Sequence, residues 1–145
     1  MRIWSTPQPV FDKLNDEFQF TIDLCADIAN RKCDPFIYTE HSLSVPWTGI
    51  GWLNPPYGEE IWKYLKKARE STKNGSIIVA IVPGRTNAPW WHRWIMQADE
   101  IRFVRKKMSF VSNDGKKGVP SWGAVIAVYR PNSECKPQVS TWDQP

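Results

Sequence analysis

The stretch "SIIVAIVP", residues 76–83, decides the fold. Six apolar residues, Ile77 to Val82, follow one another without a polar break. An amphipathic strand would alternate and an amphipathic helix would repeat every three or four residues. An unbroken apolar run bounded by Asn74-Gly75 and Pro83-Gly84 instead reads as a strand covered on both faces. Such strands belong to parallel sheets with helices above and below.

The neighbours fit that reading. Upstream, "GEEIWKYLKKARESTKNG" (58–75) is helical, with Ile61, Tyr64, Leu65 and Ala68 on one face, acids at its start and Asn74-Gly75 as its stop. Before it, "IGWLNPP" (50–56) is a strand that two prolines terminate, because proline cannot donate to a ladder. "FQFTIDLCAD" (18–27) and "CDPFIYTE" (33–40) are further strands, separated from 50–56 by the turn "SVPWTG" (44–49). At the N-terminus "STPQPVFDKLNDEF" (5–18) predicts a helix capped by Thr6, with Pro7 in its first turn and Val10, Phe11, Leu14 and Phe18 on one side. Downstream, "NAPWWHRWIMQA" (87–98) predicts a helix and "EIRFVRKKMSF" (100–110) a strand. "VSNDGKKGVPS" (111–121) predicts a polar loop and "WGAVIAVYRP" (122–131) the last strand. The expectation is one α/β domain over residues 1–131, Rossmann-like and mostly parallel, with residues 132–145 a loosely held polar tail.

Composition narrows the function classes. The 145 residues carry a net charge of +4, which suits a polyanionic partner. No apolar run approaches the roughly 18 residues of a membrane span, and no secretion signal is visible at the N-terminus. Three cysteines without a C-x-x-C pair argue against zinc and against a disulfide framework, so no metal is expected and a reducing cytoplasm is the simplest setting. Nine tryptophans are many for this length. Most are expected to pack, and some to offer flat faces for stacking.

In α/β sheets ligands lie beyond the carboxyl ends of the strands. Asp23 and the tetrapeptide Asn54-Pro55-Pro56-Tyr57 both fall there. The two prolines stiffen a backbone carbonyl between Asn54 and Pro56, and Asn54 adds a side-chain carbonyl beside it. Two uncharged acceptors seat an amino group, and Tyr57 offers a ring to a planar substrate. Acceptors that hold the hydrogens of a conjugated amino group become stronger partners as that nitrogen gains positive charge, so they favour its attack.

Here the chain resembles the phage-type DNA adenine-N6 methyltransferases. Those enzymes belong to the S-adenosyl-L-methionine-dependent amino-methyltransferases with an Asn/Asp/Ser-Pro-Pro-aromatic motif. Beside "NPPYG" the resemblance rests on "TPQPVF", "FTIDLCA", "NRKC", "IYTE", "IVPGRT", "WWH", "EIRFV" and "VPSWGAVI", in that order over about residues 4–129. It implies methyl transfer from S-adenosyl-L-methionine to adenine N6 in DNA, by direct in-line attack of a flipped-out base. It implies catalytic roles for Asn54, Pro55, Pro56 and Tyr57. Ser5, Thr6 and Pro7 match the family's N-terminal cofactor segment. Asp23, with Cys25 and Ala26 beside it, takes the place of the cofactor motif, although the usual glycine-rich form is missing. Glu40 would meet the ribose hydroxyls and Ser42 would lie near the cofactor adenine. No recognition insert separates these motifs, so target reading falls to loops, foremost residues 105–120 with Arg105, Lys106, Lys107, Lys116 and Lys117; the family usually has Gly-Arg near Lys106-Lys107. Arg85 and Trp90 are further DNA candidates. His92 has no role the chemistry requires. The same tetrapeptide also serves enzymes acting on RNA adenine, cytosine N4 or protein glutamine, and a non-catalytic nucleic-acid-binding module is the alternative from another class.

Overall fold

The computed structural model describes residues 4–112 and 116–145. The predicted two-sided strand is β5 (Ile77–Pro83), and Ile78 to Val82 are all fully buried. Its side chains alternate between two cores. Ile78, Ala80 and Val82 pack with Leu65 and Ala68 of α2 (Ile61–Ser71) and Trp91 of α3 (Pro89–Trp94). Val79 and Ile81 pack on the opposite face with Val10, Phe11 and Leu14 of α1 (Gln8–Phe18). Each of the Ile and Val side chains contributes about 1.5–3 kcal/mol on leaving water, so this central strand anchors both layers.

On one side of β5 lie, in order, β4 (Ile50–Leu53), β2 (Ile22–Ala26) and β3 (Phe36–Tyr38), all parallel to it. On the other side β9 (Ala124–Tyr129) runs antiparallel between β5 and β6 (Glu100–Arg105). The seven-stranded sheet ends in β10 (Gln138–Asp143), parallel to β6. One antiparallel strand among six parallel ones, with helices on both faces, is the mostly parallel Rossmann-like sheet expected from the sequence.

A second, three-stranded sheet pairs β1 (Trp4–Ser5) with β7 (Phe110–Ser112), which also pairs with β8 (Lys117–Gly118). Residues 100–110 are therefore not one strand. The chain breaks after Arg105, where Lys106 takes a φ of 69° and turns it out of the large sheet. Nor are residues 111–121 simply a loop: the described flanks of 113–115 are strands. The C-terminal stretch also differs from expectation. Residues 138–143 form a full edge strand, and Trp142 is buried against the α1 core while Lys13 Nζ donates to the Asp143 carbonyl at 2.6 Å. Ordinary polar composition conceals this strand, since an edge strand exposes most of its side chains. Among the described residues, no helix is long and apolar enough to cross a membrane.

The predicted N-cap is displaced. Helix α1 starts at Gln8, with Pro7 as the preceding residue and no side-chain cap. Thr6 lies between β1 and the helix, and its buried hydroxyl does not bond the first helical amides. The second core-facing helix ends as predicted: after the 3₁₀ turn Thr72–Asn74, Gly75 adopts a φ of 95°, which glycine tolerates.

Candidate active site

The chain leaves β2 toward β3 at one edge, then returns to place β4 on the other side of β2. This reversal opens a crevice at the carboxyl ends of β2 and β4, where open α/β sheets bind ligands. Asp23 is the second residue of β2 rather than at its carboxyl end as the sequence suggested, because the strand runs on to Ala26, while Asn54 directly follows β4. Both line one cleft, with Ser5, Thr6, Cys25, Pro55, Pro56 and Tyr57.

The Asn54 amide is held from both ends. Its Nδ2 donates to the Trp4 carbonyl at 2.8 Å, and its Oδ1 accepts from the Tyr57 hydroxyl at 2.9 Å. A carbonyl only accepts, so the Trp4 contact fixes which end of the amide is nitrogen. Oδ1 is thereby turned toward Tyr57, with lone-pair capacity left for a second donor. The Tyr57 hydroxyl also lies 3.1 Å from the Ile81 carbonyl, and burial raises its proton affinity, so it remains a neutral donor. Its ring meets Trp122 edge to face at 5.4 Å; Trp122 in turn tilts against Phe110 at 5.5 Å. Trp4 closes this aromatic wall, 6.4 Å from Phe110. Gly118 of β8 lies directly under the Trp4 ring: a Cβ there would meet the ring at 2.4 Å. The small sheet thus carries the wall that orients Asn54.

Asp23 is buried at the cleft floor. Its carboxylate accepts from the backbone N–H of Lys32 at 2.9 Å and of Cys25 at 3.3 Å. Burial pushes its pKa up to about 6 against those two bonds and the nearby Lys32 charge. A buried carboxylate at a cleft wall is stabilised by a cationic ligand. The Thr6 hydroxyl lines the same cleft, is 2% exposed and has no hydrogen-bond partner among the described residues. An orphaned buried hydroxyl marks a place for a ligand's polar group. Burial also pushes the Cys25 thiol up to about 11, which makes it an inert wall residue.

The remaining sequence candidates divide. Glu40 is exposed on the 3₁₀ turn Thr39–Ser44 and lines a second hollow, which shares Thr39 and Pro56 with the first. Ser42 does not reach either hollow. It is fully buried, its hydroxyl donates to the Leu24 carbonyl at 2.7 Å and its own carbonyl accepts the Trp47 indole. Ala26 is buried at the end of β2 and Pro7 precedes α1; neither side chain lines the cleft. Arg85 and Trp90 line a separate hollow with Trp62, Arg93 and Trp94. Of the adjacent pair, Trp91 is buried and Trp90 half-buried. His92 is exposed and binds the Thr86 carbonyl. Arg105 pairs with Asp143 at 3.2 Å, while the carbonyls of Arg105, Lys106 and Lys107 accept from Gln144. Lys106, Lys107, Lys116 and Lys117 are exposed. Sequence reasoning missed Trp4, Asn30, Lys32 and Trp122. Trp4 and Trp122 reach the site through strand pairing and ring packing, which no local pattern announces. Asn30 and Lys32 sit in "NRKC", whose signal is the family resemblance alone.

Among the described residues no cluster of His, Cys, Asp and Glu could hold a metal. No individually curated protein matches the chain. The family model described as DNA N-6-adenine-methyltransferase (Dam) matches residues 2–144, from the strand that orients Asn54 through β10, and the chain belongs to that family.

Proposed function

We propose that this protein methylates the N6 amino group of adenine at specific sites in DNA, with S-adenosyl-L-methionine as donor. The observation that carries the mechanism is the tethered Asn54 amide, whose Oδ1 is aimed while retaining capacity for another hydrogen. S-adenosyl-L-methionine, when bound, supplies an activated methyl group. Asp23 would hold its ammonium, Ser5 and Thr6 would line the same end, and Glu40 would meet the ribose at the far end of the joined hollows. Asn54 Oδ1 and the rigid carbonyl between Asn54 and Pro56 would hold the two hydrogens of N6. Both acceptors gain strength as positive charge develops on that nitrogen, and no general base is needed before it attacks. In a duplex that nitrogen is paired and stacked, so the base must leave the helix. The half-buried Tyr57 and Trp122 are the rings beside its seat. Site selection would fall to residues 105–120, with Arg85 and Trp90 as further contacts.

The variant Asn54→Ala is expected to lower methyl transfer by about 100–1000-fold while changing affinity for S-adenosylhomocysteine only slightly. Calorimetry beside a turnover assay checks this. Weakened cofactor binding with intact turnover would place Asn54 in the wrong role.

A further inference from the structure

The reading of the Asp23 cleft leaves one charge in its wall without a role. Lys32 lies on the loop between β2 and β3 and lines the same cleft as Asp23 and Thr6. Its backbone N–H is bound to Asp23 Oδ2 at 2.9 Å, so the two residues are held in fixed relation. Its ammonium donates to a neutral group, Gln8 Oε1, at 3.2 Å. Gln8 is itself held by Asp12, to which its Nε2 donates at 2.8 Å. An ammonium has three donors; Lys32 as a residue is half-buried, and its bond to Gln8 is solvent-exposed. Burial pushes its pKa down, while Asp23 and Asp12 oppose that shift. A partly desolvated cation whose hydrogen-bond partner among the described residues is an amide is stabilised by an anion delivered into the cleft.

An α-amino acid carries an ammonium and a carboxylate on one carbon. A wall that recognises it needs one anion and one cation side by side, which Asp23 and Lys32 provide. The buried Thr6 hydroxyl adds a neutral donor on the same cleft. We propose that Lys32 binds the α-carboxylate of the cofactor's amino-acid end, and so makes the site selective for adenosyl sulfur compounds that keep that carboxylate. This rests on the cleft being the cofactor site. It also gives a purpose to the hydrogen bonding of the 27–35 loop. Asp27 Oδ1 accepts from the backbone N–H of Ala29 and of Asn30, each at 2.9 Å, and the Asn30 side chain accepts from Asp27 N–H at 2.8 Å. A loop locked in this way holds Lys32 in place before the ligand arrives.

The test compares S-adenosylhomocysteine with its decarboxylated form by calorimetry. The wild-type protein is expected to bind the carboxylate-bearing ligand about 10–100-fold more tightly, the range of one hydrogen bond between charged groups. Lys32→Met is expected to lose that preference while binding the decarboxylated ligand as before, and Lys32→Arg to retain most of it. Melting curves check that each variant folds; Lys32→Gln replaces Lys32→Met if the latter does not. A wild-type protein that binds both ligands equally overturns the role of Lys32 alone. Equal weakening of both ligands by Lys32→Met does the same, as does an undiminished preference. Binding of neither ligand to the wild type overturns the cofactor site and this inference together.

Discussion

The side chain of Asn54 is fixed by two other residues, Trp4 and Tyr57. Its place beside the cleft was legible in the sequence, because two prolines that end a strand set the flanking amide and ring at its carboxyl end. Its orientation was not legible, because Trp4 lies fifty residues away and contributes a backbone atom. Thr6 shows the opposite case. Local pattern assigned it to a helix cap, but Pro7 holds that position and the Thr6 hydroxyl lies buried in the cleft. Asp23 yields a pH prediction. Burial raises its pKa from 3.8 to about 6, so the free protein favours the protonated form and is stabilised by it. That contribution is complete below pH 3.8 and is lost as pH rises through about 6. A ligand ammonium requires the ionised form. Cofactor affinity is therefore expected to fall about tenfold per unit as pH drops below about 6, and Asp23→Asn to bind weakly with a flat profile. A wild-type profile flat between pH 5 and 7 would remove Asp23 from the ammonium's seat.

At the scale of elements, the small β1–β7–β8 sheet links the chemistry to the basic segment. It carries Trp4, whose carbonyl holds Asn54, on one strand and Lys117 on another. None of this could be read from the sequence. Strands of two or three residues carry no periodicity, and the break at Lys106 uses a positive φ in a residue that gives no warning of it. By contrast β5 and α2 were legible, because burial on both faces and an apolar stripe each leave a long pattern. The carboxyl ends of β5 and β6 share one rim with those of β2 and β4. Arg85 and the 105–107 turn therefore lie on the same side of the sheet as Asn54. Replacing Lys116 and Lys117 together by Gln is expected to weaken DNA binding and to reduce the slope of log affinity against log salt by up to about 2. An unchanged slope would take these lysines out of the interface.

At the scale of the whole molecule, the sheet was predictable in class and not in order. Alternating strands and helices imply a parallel sheet, yet the insertion of β9 between β5 and β6 is decided by pairing across the chain. The closing strand β10 was hidden by its exposed, polar side chains, and only Trp142 faces the core. That residue offers a measure of what the C-terminal segment contributes. Trp142→Ala is expected to cost about 3 kcal/mol in urea unfolding, since it empties a site shared by α1, β6 and β10. A loss under about 0.5 kcal/mol, the size of an ordinary surface change, would mean that β10 adds little to the fold. The account as a whole rests on one reaction. Labelled S-adenosyl-L-methionine should be offered with DNA, RNA and protein in parallel, and the modified nucleoside identified after digestion. The account predicts N6-methyladenine in DNA, and its absence with Asn54→Ala. Label in RNA, in protein or on cytosine N4, with DNA adenine unmodified, would contradict it.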